Sequence, residues 1–221
     1  MNKVRTVFEK KGRAKYISHL DLNRFMFRAF RRTKLPIWYT EGYNPHPYIA
    51  FALALSLGYE SECEIMDFNL NEYIEYSQII DKLNSVMPEG IRFKEAFAPV
   101  RKITEIAKSC FDIRIKVSNP EHTANLLKEF INRDKIIVEK KTKKGMTEID
   151  IKPHIEVSEI ISDDMYIYFS IILPAGTQVN YNPSLLLDTF KNAENSDFEM
   201  INICRKSIIC SDGEKFWKVV K

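Results

Sequence analysis

The chain has 221 residues, 45% of them hydrophobic and 29% charged, with only seven glycines. That is enough ordered, globular-type sequence for one large domain or two ordinary ones, and it excludes a disordered or collagen-like chain. The net charge of +3 is unevenly spread: residues 1–35 hold 11 Lys or Arg against two acids, a local +9, and the remainder holds 22 bases against 28 acids, a local −6. One basic end joined to a mildly acidic body suggests an anionic partner for that end.

The opening "MNKVRTVFEKKG" alternates and carries charge, so it lacks the apolar centre of a secretory signal and a cytoplasmic address is expected. It reads as a strand ending at Gly12. Ser18 followed by Asp21 forms a capping pair that opens a helix over 18–34, closed by Leu35-Pro36. A loop then leads to "YIAFALALSL", a strictly alternating run predicted as a strand with Ile49, Phe51, Leu53, Leu55 and Leu57 on one face and Ala50, Ala52, Ala54 and Ser56 on the other. The small face would permit close approach of a partner, or lie under a helix. After a turn at "GYES" come a strand "ECEIMDFNL", a helix "EYIEYSQIIDKLNSVM" and a strand "IRFKEAFA". The first half therefore reads βαββαβ.

The second half repeats the scheme: strand "CFDIRIKV", helix "PEHTANLLKEFINRD", a hairpin of "KIIVEKK" and "MTEIDI" around "TKKG", strands "HIEVSEI" and "MYIYFSIIL", helix "PSLLLDTF", and strand "MINICRKSII". The expected fold is α+β, two tandem ferredoxin-like sandwiches, with residues 1–98 and 110–221 as domains and 99–109 as linker.

The uncharged run 42–59 contains two prolines, and its apolar part is well short of the ~20 residues a membrane helix needs, so no membrane is expected. Cys63, Cys110, Cys204 and Cys210 are scattered and form no CxxC pair, which leaves the chain without a zinc or iron-sulfur nest of its own. His19 and Asp21 lack a third metal ligand nearby in sequence. No cofactor is expected here.

The helix over 18–34 is the most informative element. With Arg24 as zero at about 100° per residue, Arg31, Arg28 and Arg32 fall at roughly −20°, 40° and 80°, whereas Phe25, Ala29, Leu22, Met26 and Phe30 fall at roughly 100–240°. Four arginines thus line the face away from the core. Their planar forks match phosphate oxygens, while solvation alone would be served as well by lysine. The competing reading pairs them with the acidic comb Glu60, Glu62 and Glu64.

In the loop "LPIWYTEGYNPHP", three prolines stiffen the chain. Asn44 and His46 each precede a proline and are pre-set to extended geometry, while Gly42 supplies the freedom to turn. Connections this long are commonly functional when ordered. Tyr39, Tyr43 and His46 would offer rings for stacking on unpaired bases beside the arginine helix. Alternatively, His46 only holds the loop, and His19 beside the helix cap is either structural or an anion ligand.

The stretch from Tyr16 to Glu64, with "ILPAGTQVNYNPSLLLDTF" later on, closely resembles an uncharacterised radical-SAM-linked family whose members stand free in bacteria or are fused behind a radical SAM enzyme with a cobalamin-binding-like domain. The resemblance implies partnership with radical SAM chemistry carried on another chain. It also implies a functional patch at Ser18, His19, Asp21, Arg24, Arg28, Arg31, Arg32, Gly42, Asn44, Pro45, His46 and Pro47. A looser, architectural similarity is to CRISPR RNA-processing nucleases of the Cas6 type, whose glycine-rich loop this sequence lacks.

The leading expectation is a non-catalytic RNA-binding or substrate-presenting accessory of a radical SAM enzyme, with Arg24, Arg28, Arg31, Arg32, His19, Tyr43, Asn44 and His46 as contacts. One alternative is a metal-independent endoribonuclease with His46 or His19 as general base. The other is a protein-interaction domain that does not bind nucleic acid.

Overall fold

The computed structural model describes residues 1–142, 145–177 and 179–217, with backbone alone for 140–142. These residues form eleven strands and four α-helices, an α+β architecture. Among them no helix is long and apolar enough to cross a membrane. The chain divides into two compact units, one of Met1–Glu105 with the segment that begins at Glu214, the other Ile106–Gly213.

The first unit runs β1 (Asn2–Lys10), α1 (His19–Thr33), β2 (Ile49–Phe51), β3 (Glu60–Leu70), α2 (Tyr76–Asn84), β4 (Ile91–Phe97). Its strands lie in the order β4-β1-β3-β2, and every neighbouring pair is antiparallel. Ser18 caps α1: its Oγ accepts from the Asp21 backbone N–H at 3.1 Å and donates to Asp21 Oδ2 at 2.7 Å. At the other end Lys34 turns left-handed with φ 55° and stops the helix. The 3.6-residue period places Leu22, Met26 and Phe30 of α1 with Ile79 and Leu83 of α2 on Val4, Phe8, Met66, Phe68 and Phe93 of the sheet. Phe30 is fully buried, edge-on to Phe68 with ring centroids 4.8 Å apart. Phe30→Ala should therefore destabilise the protein by about 3–5 kcal/mol in urea unfolding, and a change below ~1 kcal/mol would mean this core is not where stability resides.

The alternating run 48–57 is a strand only over its first part. β2 stops at Phe51, the Ala52 N–H still donates to Ile65 O, and then the chain bends away until the Gly58 N–H reaches Lys15 O at 2.9 Å. The run after Ile49 contains only Ala, Leu, Phe and Ser, without a β-branched residue, so it has little intrinsic preference for the pleat once pairing ends. The proposed small face does not form: Ala52 is buried and Ala54 exposed.

On the face of β1 opposite the helices, Arg5 is 2% exposed. Its guanidinium grips Asp67 with two bonds of 2.7 Å, donates to Arg101 O at 2.8 Å, and lies 4.4 Å from the ring centroid of Phe216.

The second unit comprises β5 (Ile106–Lys116), α3 (Pro120–Ile131), β6 (Ile137–Thr142), β7 (Gly145–Asp150), β8 (Glu156–Val157), β9 (Ile161–Ser162), β10 (Tyr166–Pro174), α4 (Pro183–Ala193) and β11 (Glu199–Cys210). β11, β5 and β10 pair antiparallel in that order, and the short β8 and β9 both pair with the outer edge of β10. β6 and β7 form a separate two-stranded hairpin, whose turn at Lys143-Lys144 lies outside the described residues. Asn119 and Asn182 cap α3 and α4, each followed by a proline at the first helical position, where a missing N–H costs nothing. Phe130 of α3 meets Phe190 of α4 at 5.5 Å over the buried Ile113, Ile115, Ile167 and Phe169. β5 starts at Ile106, inside the segment expected to be linker. Its first residues pair with β10 and β11, partners distant in sequence that the local pattern of 99–109 does not announce.

The turn into β10 is fastened by Asp163. Its carboxylate accepts from the N–H groups of Met165 and Tyr166 and from the Tyr168 hydroxyl, and these bonds, Met165 first, hold its pKa below the ordinary 3.8. A depressed carboxylate contributes stability that is complete above the unfolded pKa and is lost as pH falls through the folded one. Asp163→Asn should accordingly lower stability at neutral pH, by an amount that shrinks as pH falls below about 4, so that the acid limb of the profile flattens in thermal melts across pH.

Candidate nucleic-acid interface

Arg24, Arg28, Arg31 and Arg32 all project from α1 into solvent, on the side opposite the buried Leu22, Met26, Ala29 and Phe30. Arg24 makes a loose contact with Asp21, 3.7 Å between side chains that are both 63% exposed, an ion pair of negligible worth. Arg28, Arg31 and Arg32 have no acidic partner among the described residues. The acidic comb of β3 is engaged elsewhere: Glu60 accepts from the Gly12 N–H at 2.9 Å, Glu62 pairs with Lys11 at 3.0 Å, and Glu64 is buried. The arginine row is therefore an uncompensated positive strip.

The segment that follows α1 is strapped to the sheet before it reaches the loop. Ile37 bridges Leu70, and the Trp38 N–H donates to Asn69 O at 2.8 Å. Tyr39 then bridges Pro47 and the Tyr48 N–H reaches back to Trp38 O, which closes the base of a seven-residue loop, 40–46. The Thr40 N–H donates to His46 O at 2.9 Å, and the His46 N–H donates to Thr40 Oγ1 at 3.2 Å. Gly42 has φ 124°, a conformation that a side chain would strain. Tyr43, at the tip, is fully exposed.

His46 is exposed, yet its ring is fixed. Nδ1 lies 3.0 Å from Asn44 O and 3.2 Å from Thr40 Oγ1. A carbonyl only accepts, so Nδ1 carries the proton, and in the neutral ring Nε2 is the acceptor. The imidazole lies against Phe27, centroids 5.3 Å apart. Phe27 is three residues after Arg24 and four before Arg31, so both guanidiniums emerge beside the histidine platform. His19, the first residue of α1, packs edge-on to Phe51 at 5.2 Å. It is eight residues from Phe27, about 12 Å along the helix axis, so His19 precedes the arginine row while His46 sits alongside its middle.

Sequence reasoning missed Phe27 and Thr40. Phe27 falls at the edge of the arginine face, and an aromatic on a polar flank was the available signal. Thr40 acts through a hydrogen bond that no local pattern announces. It also missed the exposed Tyr16 and Leu20, which carry an apolar strip past the first turn of α1.

Comparison with known proteins gives the following. The Cbf5-Nop10-Gar1 complex crystal structure aligns with a TM-score of 0.48 and 11% identity, covering 92% of this chain and 48% of that one. The archaeal box H/ACA sRNP Nop10-Cbf5 complex gives 0.43, 11%, 90% and 46%. An unknown protein from Galdieria sulphuraria gives 0.26, 9%, 90% and 96%. This chain thus spans about half the length of the first two. Among curated proteins none matches the sequence. One family model covers residues 3–183, a span that takes in the arginine helix, the strapped loop and most of the second unit, and the chain accordingly belongs to the family described as uncharacterized protein conserved in bacteria (DUF2344).

Proposed function

We propose that this protein is an RNA-binding module in which the arginine row of α1 holds phosphates and the loop over 40–46 holds an unpaired nucleotide. The observation that carries the reading is the uncompensated strip itself: among the described residues Arg28, Arg31 and Arg32 have no acidic partner, and they stand beside a ring platform of His46 on Phe27. Guanidinium forks suit phosphate, and exposed rings suit bases. Binding is favoured over cleavage because general acid–base work needs two titratable groups converging on one phosphate, and His19, packed on Phe51, begins α1 about two helical turns before Phe27, on which His46 rests. The test is titration of wild-type protein with labelled cellular RNA between roughly 50 and 200 mM salt, with product length followed on a gel. Intact RNA bound more weakly at the higher salt supports the module. Shortened RNA would transfer the proposal to an endoribonuclease, and salt-independent behaviour would remove RNA from it.

In the same proposal each unit is a ferredoxin-like sandwich, supported by the antiparallel orders β4-β1-β3-β2 and β11-β5-β10-β8, in which β1 and β3 are central in the first and β5 and β10 in the second. The module serves a radical SAM enzyme that supplies the cluster on its own chain, a pairing supported by the sequence resemblance.

A further inference from the structure

Across the sheet of the second unit four side chains stand in one row on the face opposite α3 and α4. Asn202 of β11 is directly across from Arg114 of β5, Arg114 from Tyr168 of β10, and Tyr168 from Ile161 of β9. The next residues of β10, Ile167 and Phe169, are buried on the other face, as the two-residue period of a strand requires. Ile161, in contrast, is 58% exposed. Over the row opens a cavity of about 390 Å³, which these residues line together with Asp112, Ser158 and Glu159. That size and a mixed lining with a few convergent polar groups are those of a small-ligand site.

The groups are already oriented. The Tyr168 hydroxyl donates to Asp163 Oδ2 at 2.8 Å, which fixes the ring. Arg114 lies over Tyr166 with its guanidinium 5.3 Å from the ring centroid. Asp112 accepts from Ser170 Oγ at 2.7 Å and has Lys206 at 3.9 Å, so its carboxylate is held in place as an acceptor. A planar ring can stack on Tyr168 and Ile161, an exocyclic amine can donate to Asp112, and Arg114 is the cation within reach of a phosphate.

We propose that this face binds one unpaired, amine-bearing nucleotide of single-stranded RNA, its base on Tyr168, its amine on Asp112 and its phosphate at Arg114. The identity of the polymer rests on the RNA reading of the first unit, while the nucleotide site rests on the second unit's own geometry.

The experiment is a chemical-shift titration of the full-length protein with cytidine and uridine 5′-monophosphates, run beside polymer binding by wild type and by the α1 arginine variant. Cytidine monophosphate should shift amides of β5 and β10 and leave α1 still. Tyr168→Leu should weaken it about tenfold, in line with the ~1–3 kcal/mol of one stacked base, and Tyr168→Phe should retain it. Asp112→Asn should erase the preference over uridine, whose O4 only accepts. Silent β5 and β10 amides, or wild-type affinity in Tyr168→Leu, overturn the site even where polymer RNA binds through α1. Shifts on β10 in a protein that binds no polymer overturn the RNA reading of α1 and support the nucleotide site.

Discussion

Replacing Arg24, Arg28, Arg31 and Arg32 together by alanine is expected to lower RNA affinity by about 10²–10³-fold at roughly 0.1 M salt and to reduce the slope of log K against log salt by about 3. The estimate follows from counterion release, in which each phosphate neutralised on a single strand contributes roughly 0.7 to the slope. Four guanidiniums are available for this because none has a strong acidic partner among the described residues. The fold should survive, since all four side chains are exposed and alanine is the best helix former. Fluorescence anisotropy at several salt concentrations reads both quantities at once. An unchanged slope in the variant would show that the row faces a protein instead.

The second large effect concerns stability. Arg5→Ala should cost about 3–5 kcal/mol, because it strands Asp67 on a covered sheet face without the fork that satisfies it. Asp67→Asn should cost a similar amount, now through a buried guanidinium left with two of its three acceptors and no counter-charge. The double change Arg5→Met with Asp67→Leu should recover most of the loss, since an apolar pair of similar volume escapes the desolvation of two charges. Urea midpoints of the three variants decide the matter. A double variant no better than the singles would show that the contacts of Arg5 to Arg101 O and Phe216 outweigh its bond to the carboxylate.

Much of the first unit could be read from the chain because its signals are local. The Ser18-Asp21 cap, the helical period and the stop after Thr33 lie within one stretch, and they set which residues of α1 face outward. The features that escaped are those fixed by distant partners. The acids of β3 are near the arginines in sequence, yet Glu62 goes to Lys11 and Glu60 to Gly12, as pairing with β1 and the turn after it dictates. Arg5 looked like an ordinary polar strand position, and neither Asp67 nor Phe216 could be named from its neighbours. The alternation of 48–57 persuades by pattern while its composition resists the strand, and composition prevails after Phe51. In the second unit the nucleotide row comprises residues from four strands, and only the register brings Asn202, Arg114, Tyr168 and Ile161 into line.

The strapped loop over 40–46 has a thermodynamic consequence. Fixing a residue's backbone costs about 1–2 kcal/mol of conformational entropy, and a loop ordered only on contact would subtract that from every binding event. Here the closure between Thr40 and His46, the bridge from Tyr39 to Pro47 and the prolines that follow Asn44 and His46 meet that cost during folding. A ligand that reaches Tyr43 and His46 therefore meets a preorganised surface, and its contact energy appears almost undiminished as residence time.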